Sequence, residues 1–130
     1  MAETQLKEES PPSYKRKVFR PERVAIATES KKYIDACFGR TESFQIYQLR
    51  EQNGAYSYEF LESRPGIKPC RDKTHDQGAL EETSELLMDC AMVLAGRMGP
   101  AAVKALSERG IMGMAVPLEL EDALRRLARG

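Results

Sequence analysis

The chain has 130 residues and a mass of 14.6 kDa, with 42% apolar, 31% charged and 7% aromatic residues, which predicts one compact domain. Twenty Lys and Arg residues balance twenty Asp and Glu residues, so the overall positive charge that drives non-specific nucleic-acid binding is missing. The sequence has no apolar run near the roughly 20 residues of a membrane-spanning helix and no hydrophobic secretory signal. Three cysteines, an odd and sparse set, argue against a disulfide scaffold. We expect a cytoplasmic protein with neither nucleic-acid nor membrane partners.

Residues 1–20 are dominated by Glu, Lys, Ser and Pro. They offer too little apolar surface to offset the entropy lost on ordering. The sequence therefore predicts a flexible N-terminal tail over residues 1–20 and one α/β domain over residues 21–130.

The domain begins with strands. The predicted strands cover residues 24–28, 44–49 and 55–61. Asn53-Gly54, between the second and third runs, is a strong hairpin signal. Tyr56, Tyr58 and Phe60 alternate along the third strand and share one face, which we interpret as core or cross-strand packing rather than a base-stacking platform.

Helices and strands then alternate. The pattern predicts a helix over residues 76–88 with Leu80, Leu86 and Leu87 inward, a strand over 91–95, a helix from Pro100 to Gly110, a strand over 111–116 and a helix from Leu120. In the helix that starts at Pro100, Ala102, Val103 and Leu106 are expected to share the buried face. An antiparallel start followed by right-handed crossovers predicts a mixed sheet with helices on its faces.

Three loops are expected to lie at the edge where the parallel strands end, which is where ligands of open α/β sheets bind. These loops cover residues 30–43, 62–75 and 96–99. Two cysteines and the only histidine of the sequence, Cys37, Cys70 and His75, occur in them. The edge is therefore the predicted ligand site.

Cys37 lies in the segment Ala-Cys-Phe-Gly-Arg, where its thiol is a candidate soft-metal ligand and the Arg40 guanidinium could pair with an anion. A small buried residue in a turn is the equally weighted alternative for Cys37. Cys70 and His75 are five residues apart in a long loop, a plausible but unspecific ligand spacing. Cys90, at the start of a buried strand, is interpreted as inert core.

Residues 96–99 lead into a helix N-terminus, which favours an anion. An ordinary tight turn is the alternative for this segment, which is neither a Walker loop nor a dinucleotide fingerprint. Met98 could be a soft ligand or a hydrophobic plug, and the plug is favoured. The chain has no HExxH sequence, no strand order that would assemble a Ser/His/Asp triad and no close pair of carboxylates, so we expect a protein that is not an enzyme.

Four segments together resemble the dinitrogenase iron-molybdenum cofactor-binding family, which contains NifX, NafY and the C-terminal domain of NifB. The segments are residues 24–28, residues 36–40 together with 44–47, residues 89–102 and residues 120–124. The resemblance implies a three-layer α/β/α, ribonuclease-H-like fold with a mixed five-stranded sheet of order 3-2-1-4-5 and strand 2 antiparallel. It also implies a non-catalytic carrier of the iron-molybdenum cofactor, or of an iron-sulfur precursor cluster, working with nitrogenase assembly proteins.

The chain departs from the family pattern at two positions. Cys37 stands where the family has the histidine of its HFG motif, and Arg97 replaces the second glycine of AGGMGP. A thiolate is a softer ligand that suits iron-sulfur or copper-sulfur clusters, and Arg97 adds a cation.

The hypothesis for the site combines the motifs with the family resemblance. The cofactor-binding set is Cys37, Phe38, Gly39, Arg40, Arg97, Met98 and Gly99, and the metal ligands are Cys37, Cys70 and His75. Two alternatives remain open: the domain binds another molybdenum-containing cluster or a small anion outside nitrogen fixation, or the three metal ligands hold a structural zinc ion.

Overall fold

A computed structural model describes residues 19–67 and 77–130. Its elements are, in chain order, β1 (Arg23–Ala27), β2 (Ser43–Gln52), β3 (Ala55–Pro65), α1 (Gln77–Leu86), β4 (Met92–Ala95), α2 (Pro100–Ser107), β5 (Met112–Ala115) and α3 (Leu120–Arg129). One five-stranded sheet has the order β3-β2-β1-β4-β5. Strand β1 is antiparallel to β2 and parallel to β4. The predicted strand order and the antiparallel second strand are confirmed.

The described helices cover both faces of the sheet. Successive residues of β1 point to opposite faces, and those on each face pack against a helix. Ala25 packs in a buried cluster with Leu80 of α1 and Leu106 of α2. Val24 packs in a second cluster with Leu120 of α3. The predicted three-layer α/β arrangement is thereby confirmed.

The β2–β3 hairpin turns where the sequence predicts it, since Asn53 and Gly54 both have positive φ angles, of 54° and 83°. Strand β3 continues to Pro65, beyond the predicted end at residue 61. Polar side chains stabilise this extension: Gln45 donates from Nε2 to Ser63 Oγ at 2.9 Å. The loop predicted to start at residue 62 therefore starts after Pro65.

The aromatic residues of β3 pack across the hairpin and onto the start of the domain. Tyr58 donates its hydroxyl to the Pro21 carbonyl at 2.6 Å, and Phe60 lies against Tyr47 with ring centroids 5.7 Å apart. The packing interpretation of these residues is confirmed, although Phe60 is still 52% exposed.

Helix α2 buries two of the three residues that were predicted to face inward. Ala102, Ala105 and Leu106 are buried, whereas Val103 is 38% exposed. The predictions for Ala102 and Leu106 are confirmed and that for Val103 is wrong. Val103 is three residues from Leu106 but adjacent to Ala102, so it lies at the border of the buried face, and Ala105 takes the inward position. Gly110, with φ of 74°, ends this helical region as predicted.

Leu80 of α1 and Leu87, the first residue after α1, are buried as predicted, and Leu86 packs partly buried against the same cluster. The predicted capping residue Asp76 lies outside the described residues, as do residues 1–18 of the predicted tail. Among the helices that the structure describes, we find none with the length and apolar character needed to cross a membrane.

Candidate functional site

The loop after β1 attaches to the loop after β4 at the edge where these parallel strands end. Cys37 and Arg97 form an isolated parallel β-bridge. The Phe38 N–H donates to the Arg97 carbonyl at 3.0 Å, and the Gly96 N–H donates to the Ala36 carbonyl at 2.9 Å. Two of the three loops predicted to share this edge are therefore hydrogen-bonded to each other.

Asp35 organises the turn that leads from β1 to Cys37. Its Oδ1 accepts hydrogen bonds from the Glu29 N–H at 2.9 Å and the Ser30 N–H at 3.4 Å, and from Thr28 Oγ1 at 3.3 Å. These bonds, that from Glu29 foremost, lower the pKa of the Asp35 carboxyl below its usual value. The ionised carboxylate thus fixes the backbone just before the thiol.

Gly96 permits the close approach of the two loops. A Cβ at this position would lie 2.8 Å from the Ile34 carbonyl oxygen and 3.1 Å from Asp35 Cα. Because both are backbone atoms, they could not move aside as a flexible side chain does. The absence of a side chain at Gly96 is therefore a condition for placing Cys37 beside Arg97.

Cys37 is partly exposed, and its carbonyl accepts the N–H groups of Arg40 at 3.0 Å and Thr41 at 2.9 Å. It lies where two hollows meet. The apolar hollow, of about 340 Å³, is lined by Cys37, Phe38, Gly39, Leu80, Gly99, Pro100, Ala101 and Ala102. The second hollow, of about 460 Å³, is called here the polar hollow because it includes two charged residues; it is lined by Tyr33, Ile34, Asp35, Cys37, Gly96, Arg97 and Pro117. A ligand of the thiol can therefore contact both surfaces.

Two sources of positive potential flank the thiol. The exposed Arg97 lines the polar hollow. The apolar hollow includes the first turn of α2, where Gly99 is the N-cap and Pro100 the first helical residue. Backbone N–H groups and the helix dipole make such an end favourable for an anion. The arrangement suits an anionic ligand that also coordinates a soft sulfur atom.

The other residues of the predicted site have different positions. Phe38 is 1% exposed and packs in the core with its ring centroid 5.7 Å from that of Phe44. Arg40 is exposed and lines neither hollow. Met98 packs partly buried against the core cluster of α1 and α2, the position expected of a hydrophobic plug.

The remaining candidate ligands separate into two groups. Cys90 is 4% exposed and belongs to the core cluster, as predicted, and burial is the main reason that its pKa rises to about 12. Cys70 and His75 lie outside the described residues. Within residues 19–67 and 77–130, no three His, Cys, Asp or Glu side chains are grouped so that they could hold a metal ion.

A larger groove, of about 780 Å³, lies between β3 and α3, and its lining includes Tyr56, Phe60, Arg125 and Arg129. None of its lining residues is a cysteine or histidine. The hollows beside Cys37 are therefore the better candidate for binding a soft metal.

Several lining residues are absent from the predicted site, among them Tyr33, Leu80 and Pro117. Tyr33 occurs in a polar stretch without a motif, and its position follows from an isolated bridge to Glu119. Leu80 was interpreted only as core. The sequence contains no local signal that marks these residues as part of a site.

Comparisons with known proteins agree on the class of the chain. The model of the family described as "Dinitrogenase iron-molybdenum cofactor" matches residues 22–130. The FeMo cofactor biosynthesis protein NifB of Frankia alni is 31% identical over 104 residues, which are 78% of this chain and 19% of NifB. The chain thus spans about a fifth of the length of this curated relative. The crystal structure of PH0822 has a TM-score of 0.55 at 17% identity, covering 83% of this chain and 91% of that one, and this similarity supports the fold.

Proposed function

The chain belongs to the dinitrogenase iron-molybdenum cofactor family, and from this premise we propose that it is a non-catalytic carrier. Its cargo is an iron-molybdenum cofactor or a related metal-sulfur cluster, bound during assembly of the nitrogenase cofactor. The observation that carries the proposal is the partly exposed Cys37 thiol at the junction of two hollows, next to Arg97.

The chemistry of this site fits the cargo. Thiolates are the usual protein ligands of iron-sulfur clusters, and soft sulfur ligands select such metals over hard cations. A cluster ligated by thiolate and sulfide carries negative charge. Arg97 and the N-terminus of α2 lower the cost of holding that charge at the edge of the sheet.

Additional ligands are proposed in the segment between β3 and α1. Leu80 of α1 lines the apolar hollow, so α1, which begins at Gln77, starts within one helical turn of a residue of the site. Cys70 and His75 belong to this segment. A cluster bound by few protein ligands keeps coordination positions that are open to the ligands of an acceptor protein. A carrier needs such positions in order to release its cargo.

The proposal is limited to binding and transfer. The hollows offer one thiol and one guanidinium, and the Asp35 carboxylate is engaged by backbone and hydroxyl donors. This set suits holding an anion rather than proton transfer. The chain spans about a fifth of NifB, so the proposal assigns to this chain no activity of the rest of NifB.

Anaerobic addition of isolated iron-molybdenum cofactor, and separately of ferrous iron with sulfide, tests the proposal by absorption spectroscopy. The wild-type protein should become coloured and keep the chromophore through gel filtration, and Cys37→Ala should lose it. Cys90→Ala is the matched control because that thiol is buried away from the hollows.

Full cluster binding by Cys37→Ala, Cys70→Ala and His75→Ala alike would overturn the assignment. A protein that stays colourless and whose melting temperature rises with a nucleotide would instead identify a site for a small anion. One zinc ion per chain without sulfide would indicate a structural zinc site.

A further inference from the structure

The edge strand β5 exposes two methionines on one face of the sheet. Met112 is 48% exposed and Met114 is 42% exposed, and their side chains share a face because residues two apart in a strand point the same way. Strands generally favour β-branched and aromatic residues, whereas β5 reads Met-Gly-Met-Ala. The strand therefore presents two partly exposed methionine side chains on one face.

The parallel register brings a third methionine beside them. Met92 of β4 is the direct partner of Met112, and Leu94 is the partner of Met114. Neighbouring strands are about 4.8 Å apart, and residues two apart in a strand are separated by roughly 6.6 Å. Met92, Met112 and Met114 thus form a compact triangle, called here the methionine triangle.

Two observations fix the face on which the methionine triangle lies. A Cβ on Gly113 would meet Met98 Sδ and a Leu106 methyl group, so a side chain at Gly113 would point towards α2. Met112 and Met114, its neighbours in β5, point to the opposite face. Met92 itself packs in the cluster that contains Leu120 of α3. The methionine triangle is therefore on the side of the sheet opposite α2.

Helix α3 leaves this part of the face open. It buries Leu120, Ala123 and Leu124 in the cluster that contains residues of β1 and β4, and it packs against β3 at the other edge of the sheet. Met92 is 3% exposed and so forms the buried corner of the methionine triangle, whereas Met112 and Met114 form its solvent-accessible rim. An ion could reach the rim from solvent and be shielded from water on the inner side.

We propose that the methionine triangle is a binding site for a soft monovalent metal ion of the Cu(I) class. Thioether sulfur is a soft, uncharged ligand that selects Cu(I) over the divalent ions preferred by carboxylate and imidazole. The three rotatable bonds of each methionine allow the sulfurs to converge on one ion. A monovalent ion also leaves less charge to neutralise than a divalent one.

This site is separate from the one at Cys37. None of the three methionines lines the apolar or the polar hollow, and Met98, which lies next to the hollows in sequence, packs on the other side of the sheet. The two proposals can therefore fail independently.

Methionine ε-methyl NMR tests the proposal on the full chain labelled with ¹³C-methyl methionine. The Cys37→Ser, Cys70→Ser variant removes competing thiols, and Ag(I) serves as a redox-stable probe for Cu(I). The signals of Met92, Met112 and Met114 should shift together and saturate at one ion per chain, while those of Met88 and Met98 stay in place.

Conservative substitutions assign the effect to the sulfurs. Met112→Leu and Met114→Leu preserve volume and apolar character, and each should abolish the joint shift of the remaining signals. Met88→Leu is the matched control because Met88 is also exposed, at 58%, and should leave the titration unchanged.

Three results would overturn the proposal. The signals of the methionine triangle could stay in place with Ag(I), they could shift without saturating, or Met112→Leu could leave the titration intact. Broadening of these signals with protein concentration in the absence of metal would instead assign the face to contact between copies of the chain.

Discussion

The backbone N–H of Phe38 donates to the carbonyl oxygen of Arg97 at 3.0 Å, so residues far apart in sequence share one hydrogen bond at the candidate site. The bond uses only the backbone of Arg97, and its exposed side chain plays no part in it. The charge at this position can therefore be removed while the attachment of the two loops is kept.

Replacement of Arg97 by Gln should weaken cargo binding without altering the fold. The loss of one exposed cation next to an anionic cluster corresponds to about fivefold in affinity, the scale of a single surface charge interaction, and the salt dependence of binding should fall with it. Anaerobic titration with the cluster at two ionic strengths measures both effects. Lys104→Gln removes an exposed cation from α2 as a control, and equal affinities for the two variants would contradict the role given to Arg97.

Gly96→Ala should separate the two loops of the site. The added methyl group would meet the Ile34 carbonyl oxygen at 2.8 Å, and relief of such a contact typically lowers the free energy of unfolding by about 1–3 kcal/mol. Gly99→Ala is the control, since a Cβ at that position has no atom within 4 Å. Urea unfolding measures the difference in stability, and an equal stability of the two variants would show that the close approach at Gly96 does not matter.

Asp35→Asn should destabilise the protein at neutral pH more than in acid. The folded state lowers the pKa of Asp35, so the stabilisation is present above the unfolded-state pKa of about 3.9 and is lost as the pH falls through the lower folded value. Unfolding free energies of wild type and variant should thus differ at neutral pH and converge as the pH falls below the folded-state pKa of Asp35.

The matched control for Asp35 is Glu82→Gln, which neutralises an exposed carboxylate on α1. A difference between Asp35→Asn and wild type that stays constant over the whole pH range would argue against the hydrogen-bonded carboxylate as its cause.

Arg64→Lys should destabilise the end of β3. Arg64 donates to both carboxylate oxygens of Asp89 at 2.7 and 2.6 Å and to the Leu86 carbonyl at 3.0 Å, a forked geometry that lysine cannot reproduce. The hydrogen bonds from Arg64 to the Asp89 carboxylate hold the pKa of Asp89 well below its usual range. Because the Asp89 side chain is 39% exposed, the expected loss in unfolding free energy is only about 1 kcal/mol.

A double-mutant cycle with Asp89→Asn isolates the coupling between Arg64 and Asp89. Arg50→Lys is the control, since the Arg50–Glu59 pair is 52% and 63% exposed and its loss should have almost no effect on stability. Coupling no larger than that of the control pair would remove the structural role of Arg64.

Local rules predicted most of the fold. Asn53-Gly54 marks the hairpin because both residues tolerate positive φ, and the apolar run at residues 24–28 marks a strand covered on both sides. The end of β3 was missed because Ser63 and Arg64 are polar residues whose partners, Gln45 and Asp89, are distant in sequence. Alternation of apolar residues cannot reveal strands that are extended by such contacts.

The candidate site was predictable at the level of loops and less so for side chains. Topology places the loops after β1 and β4 at one edge, and the structure joins them at Cys37 and Arg97. Arg40, in the same motif as Cys37, lines neither hollow, although its backbone N–H donates to the Cys37 carbonyl. Side-chain direction at a turn depends on these bonds and not on proximity in sequence.

Because its strands differ in length, the sheet has one end where β2 is paired on both sides and one end where it is paired on one side only. The last β2 residue paired with β1 is Gln48, so from Arg50 to Gln52 the strand has only β3 beside it. This outer half of the hairpin can open at little cost to the centre of the sheet, and its amide hydrogens should exchange with solvent early. Cys37 follows the opposite end of β1, so local opening of the hairpin should leave the geometry of the candidate site unchanged.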